Sequence, residues 1–254
     1  MAEPEQRRVA VVTGGGQGLG RETALAFSRA GHDVVIIGRT ASKLEAVAAQ
    51  MAGRCLPLVA DLTDPDQVRA AFGRIGDTFG GIDVLVNNAA SYRPFPFDTA
   101  TDKDVIDMVS LSLLAPIWCT REALPLIRQR RLGDIVNIST QSVDFPQPLM
   151  IVYAAAKAAL ETLSRGLRYE LVDEPIRVMV FQLGVVAGTQ PEPDWLALQD
   201  RYVDGVTRAG IDRMFVFPGA EPSSIAASIV HAVTAPRDIY LETVVVRGTS
   251  DKQR

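Results

Sequence analysis

The stretch Val9-Ala-Val-Val-Thr13-Gly14-Gly15-Gly16-Gln17-Gly18-Leu19-Gly20 decides the fold. Its first five residues form an apolar, β-branched run of strand length. A glycine-rich turn follows, and residues 21–30 place Ala24, Leu25, Phe27 and Ser28 at helical spacing until Gly31 ends the pattern. A strand, a glycine turn and a helix in that order make the first half of a β-α-β unit. Glycines allow the chain to turn sharply and let its backbone come close to a pyrophosphate. The helix start that follows offers free N–H groups and partial positive charge to such a group.

Working outward, short apolar runs keep alternating with helical patterns. Residues 33–37 and 55–60 read as strands, with Pro57 arguing against a central place for the latter. Helices are predicted over 42–51 and from an Asp64 cap to about Phe79, with Pro65 at the first helical position. Residues 82–86 form the fourth strand. A long helix spans 102 to about 129, bent by Pro116 and Pro125, with Asp102, Asp104 and Asp107 toward its positive end. Strands at 134–138 and 176–181 flank a second long helix at 152–172, and a helix at 222–234 precedes a last strand at 240–246.

This rhythm predicts an α/β fold: a doubly wound, seven-stranded parallel sheet with helices on both faces. The strands are apolar on both sides, as covered strands should be. One domain uses residues 8–246, leaving tails at 1–7 and 247–254. Within it, residues 185–217 exceed an ordinary connection and carry Pro191, Pro193, Trp195, Tyr202, Met214, Phe215 and Phe217. A connection of that length reads as a lid over a site.

Composition removes several chemistries. Among 254 residues there are two His and two Cys: His32, His231, Cys55 and Cys119, with no metal-ligand spacing. No G-x-S-x-G elbow accompanies the histidines, so a serine-histidine mechanism finds no support and no metal is expected. The lone cysteines suit reduced, buried thiols in a cytoplasmic protein. The formal charge is −4, and the densest basic run, Arg128 to Arg131 with Gln129 inside it, reads as a solvated helix end rather than a nucleic-acid footprint. No apolar run is long enough to span a membrane, and the polar first residues lack a signal-peptide core.

The spacing Thr13-Gly14-x-x-x-Gly18-x-Gly20 resembles the cofactor motif of the short-chain dehydrogenase/reductases. Asp61, Asn87-Asn88-Ala89 and Tyr153-x-x-x-Lys157 follow in the order of that family. The resemblance covers nearly the whole chain. It implies a Rossmann fold of strand order 3-2-1-4-5-6-7 with a nicotinamide cofactor across the carboxyl ends of the strands. Thr13, Gly14, Gly16, Gln17, Gly18, Leu19 and Gly20 would cradle it. Asp61 and Leu62 would hold the adenine, and Asn87 and Ala89 the cofactor side of strand four. Gly184 and Val186 would lie near the carboxamide. The family usually has Gly where Ala90 stands, and its Thr after strand six is displaced by one position at Thr189.

An acidic residue at the end of strand two would bind the ribose 2′-hydroxyl of NAD. That strand instead ends Gly38-Arg39, and a guanidinium pairs well with a 2′-phosphate, so NADP is favoured over NAD. Tyr153 and Lys157 share a helix face. A tyrosine is a poor base near its free pKa of about 10. A nearby ammonium should lower that pKa and let the phenol exchange a proton with an alcohol or ketone. By resemblance Lys157 also contacts the nicotinamide ribose. The family's substrate-binding serine falls at Thr140, with Ser142 as second choice, and its relay asparagine falls at Ser112, a shorter group with fewer donors.

The substrate pocket is expected among Tyr92, Phe95, Phe97, Phe145, Leu149, Trp195 and Phe215. That lining fits a small, largely apolar ketone or secondary alcohol. Arg93 is the one candidate clamp for a carboxylate. The C-terminal stretch 235–248 resembles the ending of some small-hydroxy-acid dehydrogenases of the family. A different reading is a cofactor-binding sensor or regulatory pseudoenzyme, motivated by Ser112 and Thr140; an isomerase or dehydratase would share the fold. The resemblance also implies a homo-dimer or homo-tetramer built on the two long helices. Ala154, Ala155, Ala158, Ala159 and Thr162 would then permit close packing, unless that face packs on the sheet.

Overall fold

The computed structural model describes residues 7–188, 193–211 and 219–249. Seven parallel strands form one sheet of order β3-β2-β1-β4-β5-β6-β7, as expected. The strands are β1 (Val9–Thr13), β2 (Asp33–Gly38), β3 (Cys55–Val59), β4 (Val84–Asn87), β5 (Gly133–Thr140), β6 (Ile176–Leu183) and β7 (Thr243–Val246). The helices are α1 (Gly18–Arg29), α2 (Ala41–Ala48), α3 (Pro65–Phe79), α4 (Asp102–Val109), α5 (Ala115–Ile127), α6 (Ile151–Glu170), α7 (Pro193–Arg208) and α8 (Pro222–Thr234).

Side-chain alternation along each strand feeds two cores. Val9, Val11, Leu85 and Ile135 face α3 and α5 through Val68, Phe72, Ile75 and Ala123. Ala10, Val12, Val86 and Val136 face α1 and α8 through Phe27, Ile225 and Ile229. Every residue of β1, β4, β5 and β6 is buried.

Several boundaries differ from the sequence reading for identifiable reasons. The long helix predicted over 102–129 is two helices joined by one π-helical turn at Ser110–Leu114. Pro116 lacks the N–H that would close an α-turn onto Ser112, so the ladder is reset just before it. The last strand begins at Thr243 rather than 240. Tyr240 instead uses its hydroxyl as a strand partner, accepting from Val178 N at 2.7 Å. Pro57 sits on the edge strand, where a missing donor costs little. The small stripe of α6 divides: Ala154 is buried, while Ala155, Ala159 and Thr162 are exposed.

Of the expected lid, α7 lies over the loop before α6. Tyr202 donates to Gln147 Oε1 at 2.8 Å. A Cβ on Gly205 would come 2.9 Å from Pro148, so the glycine permits that approach. Pro191, Met214, Phe215, Phe217 and Thr189 lie outside the described residues, as do the side chains of Pro193 and Trp195.

Candidate active site

The turn after β1 is tied to both neighbouring strands. Gly14 and Gly15 donate to Ile37 O at the end of β2, at 2.8 and 3.3 Å. Thr13 Oγ1 donates to Val86 O and accepts from the N–H groups of Asn88 and Ala89, both at 3.0 Å. Asn88 Nδ2 donates to Thr13 O at 2.9 Å. Asn88, not Asn87, therefore fastens the two switch-point strands. The Asn87 side chain turns into the core, donating to Thr120 Oγ1 and Asn137 Oδ1. The sequence holds both asparagines side by side; only strand alternation tells which faces the glycine turn.

A Cβ on Gly20 would lie 2.2 Å from Gly14 O, so this turn closes only with glycine there. Gly18 has φ +54° with open space before it. The first turn of α1 has no acidic residue and no side-chain cap, whereas Asp64 caps α3 and Thr101 caps α4. An uncapped, glycine-lined helix start of this kind fits a dinucleotide pyrophosphate. Gly16 and Leu19 are half-buried beside this opening, and Gln17 is exposed at the N-cap.

Arg39 is exposed just past β2. Lys43, which the sequence reading passed over, donates to Gln17 Oε1 at 2.6 Å. Two cations thus flank the glycine turn, and no carboxylate pairs with either among the described residues. Asp61 is half-buried after β3, its Oδ1 held by Thr63 N and Oγ1 at 2.9 and 2.7 Å, and Leu62 is buried.

At the other end of the switch, α6 brings Tyr153 and Lys157 under the carboxyl end of β5. Both are buried. Thr140 faces the Tyr153 phenol closely enough to lower its pKa, and its hydroxyl lies 3.1 Å from Ser142 Oγ. Both expected hydroxyls therefore belong to one cluster. Lys157 Nζ donates to Ile138 O at 2.7 Å. Burial raises the Tyr153 pKa, the adjacent Tyr92 adds to the rise, and Thr140 opposes it. The lysine effect expected from the spacing is not among the causes: burial outweighs the rest, and Lys157 is itself lowered to about 8 by burial, against the opposing charge of Glu161.

Ser112 is fully buried in the π turn and accepts from Ser91 N at 3.4 Å. Gly184 lies after β6, its N–H bonded to Val246 O, and Val186 forms an isolated bridge with Ala220.

The Tyr92 ring packs edge-on against Tyr153 with centroids 5.4 Å apart. Phe95, Met108 and Met150 pack with Tyr153 in one apolar cluster. Leu149 adopts φ 66°, rare for a side-chain-bearing residue, and its carbonyl accepts from Phe95 N at 3.1 Å. Phe145 is half-buried and Phe97 exposed. Arg93 forms an ion pair with Asp104. A cleft of about 580 Å³ runs between Phe97, Pro148, Leu149 and α7, and neither Tyr153 nor Lys157 lines it.

A doubly wound sheet, a glycine turn at its switch point and a buried tyrosine–lysine pair across from it define a nucleotide-binding α/β oxidoreductase. The chain belongs to the short chain dehydrogenase family, whose model matches residues 8–196. Dehydrogenase/reductase SDR family member 7B of Bos taurus is 32% identical over 235 residues, spanning 89% of this chain and 70% of that one. A short-chain dehydrogenase from Streptomyces avermitilis superposes with a TM-score of 0.82 at 28% identity, covering 96% of this chain and 89% of that one. A short chain dehydrogenase from Burkholderia cenocepacia, solved in complex with NADP, gives a TM-score of 0.82 at 28% identity, covering 96% and 98%. No described helix is long and apolar enough to cross a membrane.

Proposed function

We propose that this protein moves a hydride between NADP(H) and the carbonyl or secondary alcohol of a small, largely apolar substrate, with Tyr153 as general acid and base. The observation that carries this reading is the cluster Thr140–Tyr153–Lys157 at the carboxyl end of β5, across the switch point from the glycine turn. The nicotinamide cofactor would supply or accept the hydride. Thr13, Gly14, Gly16 to Gly20, Asp61, Leu62, Ala89 and the backbone of Asn87 would hold it, with Gly184 and Val186 toward its carboxamide end. Thr140, with Ser142 behind it, orients the substrate oxygen toward the Tyr153 hydroxyl. Tyr153 gives its proton to that oxygen in reduction and takes it back in oxidation. The Lys157 ammonium steadies the phenolate left after reduction. Ser112 lies in the π turn below, where the proton is returned toward solvent.

The apolar cluster around Tyr153 and the pairing of Arg93 with Asp104 favour a neutral substrate over a carboxylate. A panel of ketones and aldehydes graded by size and charge, followed by NADPH oxidation, tests this. Turnover confined to charged carbonyls would overturn the apolar assignment, and binding without any turnover would favour a sensor.

Arg39 and Lys43 support NADP, since neither pairs with a carboxylate among the described residues and both flank the glycine turn. The Burkholderia cenocepacia relative was solved with NADP. Arg39→Ala is expected to weaken NADPH binding about 10-fold or more while leaving NADH binding within about twofold, as loss of one charge-assisted contact predicts. Titration of both cofactors by fluorescence checks it, and an equal loss for the two would remove the 2′-phosphate role. We also infer a homo-oligomer seated on the outer face of α6. Light scattering tests that assembly, and a monomer would remove it.

A further inference from the structure

Three consecutive residues of β5 each grip one turn of α6. Thr140 faces Tyr153, the Ile138 carbonyl accepts from Lys157, and Ser139 Oγ donates to Glu161 Oε1 at 2.5 Å. Tyr153, Lys157 and Glu161 are spaced at i, i+4 and i+8, so they form one stripe on the sheet side of the helix. The Glu161 carboxylate is anchored from a second strand too, because Gln182 Nε2 of β6 lies 3.5 Å from the same oxygen. Ser139 and Gln182 are both buried. A surface glutamate swings freely and is screened by water. This one is half-buried and held by two sheet donors one turn from a buried ammonium.

That arrangement answers a physical need. Lys157 is 1% exposed. An ammonium has three donors and is costly to bury without compensation. The one protein acceptor found for it among the described residues is a neutral carbonyl, Ile138 O. Of the titratable groups around the pair, α6 contributes Tyr153 and Glu161, the segment after β4 contributes Tyr92, and α7 contributes Tyr202 through its coupling to Tyr92. β5 and the π turn present only hydroxyls and carbonyls. Glu161 is thus the one carboxylate in that set.

We propose that Glu161 is a positioning residue of the tyrosine–lysine pair: a carboxylate fixed by Ser139 and Gln182 that keeps Lys157 in its ammonium form. This rests on the catalytic reading of Tyr153 and Lys157 given above. Burial lowers the lysine to about 8, and the Glu161 charge opposes that fall. Removing the charge therefore moves the lysine further down, and reductase activity declines at lower pH, because the ammonium is the form that supports the phenolate.

The test uses the full chain labelled with 15N-lysine. Four lysines, Lys43, Lys103, Lys157 and Lys252, keep the ammonium spectrum simple. Glu161→Gln retains an acceptor for Ser139 and deletes only the charge. Its Lys157 midpoint should fall by about half a unit or more, the alkaline limb of kcat should move the same way, and the melting temperature should stay near that of the wild type. Ser139→Ala, which releases the carboxylate without removing it, should give a smaller fall. An unmoved Lys157 midpoint in Glu161→Gln overturns the proposal, even where the enzyme proves to be a normal reductase. A protein that reduces no carbonyl, yet whose lysine midpoint falls in Glu161→Gln, overturns the reductase reading and supports the charge role.

Discussion

Tyr153→Phe is expected to lower kcat by about 10²–10⁴-fold, the range for loss of a positioned proton donor, while NADPH affinity changes by less than about twofold. The ring is needed for packing, since it meets Tyr92 edge-on and fills the cluster with Phe95, Met108 and Met150. Phenylalanine keeps that ring and removes only the hydroxyl that faces Thr140. Because burial raises the tyrosine pKa, the phenol is protonated at neutral pH and is ready to act as an acid toward a ketone. The first group to lose its proton as pH rises is Lys157, lowered to about 8. Reduction by the wild type should therefore decline through about pH 8. Stopped-flow turnover with NADPH, alongside a fluorescence titration of cofactor binding, separates chemistry from binding. A Tyr153→Phe enzyme retaining a tenth or more of wild-type kcat would remove Tyr153 from the proton-transfer step.

Much of this was legible in the chain because the signals were local. The glycine turn, the Asp64 cap with Pro65 after it and the four-residue spacing of Tyr153 and Lys157 each need only a few neighbouring residues to be read. The parallel, doubly covered sheet followed from the same local units repeated, and its strand order from the family resemblance. What escaped depends on contacts across the sequence. Nothing near Asn87 and Asn88 says which side chain turns to Thr13 and which to Asn137, since that is fixed by the register of β4 between β1 and β5. Lys43 reaches Gln17 only after β2 and α2 fold back on the glycine turn. Nothing local marks Glu161, because its anchor lies 22 residues away on β5. The prolines of the long helix are visible in the chain, but nothing local chooses a π turn over a smooth bend. Tyr240 shows the same limit in reverse: a β-prone segment starts its strand late, at Thr243, because a side-chain hydroxyl took the backbone's partner.

Asp134→Ala is expected to be the most destabilising single change in the chain, costing about 3–5 kcal/mol, as breaking a buried ion pair does. Asp134 is fully buried at the amino end of β5, at the opposite end of the strand from Thr140 and the Tyr153 site. Its Oδ1 accepts from Arg177 Nε at 2.8 Å and Arg237 Nη1 at 3.1 Å, and its Oδ2 from Arg8 Nη2 at 2.8 Å and Arg237 Nη2 at 2.9 Å. One carboxylate therefore joins the lead into β1, the start of β6 and the segment after α8. Arg177 also donates to the carbonyls of Val233 and Ile239, so it holds the end of α8 to the sheet base. Burial lowers the Arg237 pKa, and the like charges of Arg177 and Arg8 push it down further while Asp134 pushes it up. Without Asp134 three guanidinium groups face one another with no other carboxylate paired to them among the described residues, and Arg177, with 7% of its side chain exposed, cannot move into water. Urea unfolding should show a lower midpoint at an unchanged slope. The folded fraction should keep wild-type cofactor affinity, because the site lies at the other ends of the strands. A loss below about 1 kcal/mol would mean that the arginines find water or carbonyls as readily as the carboxylate. Adding Arg177→Met to Asp134→Leu separates charge from packing. If the uncompensated cation is the cause, the double variant should recover part of the loss that Asp134→Leu alone produces. If lost packing is the cause, the two losses should add.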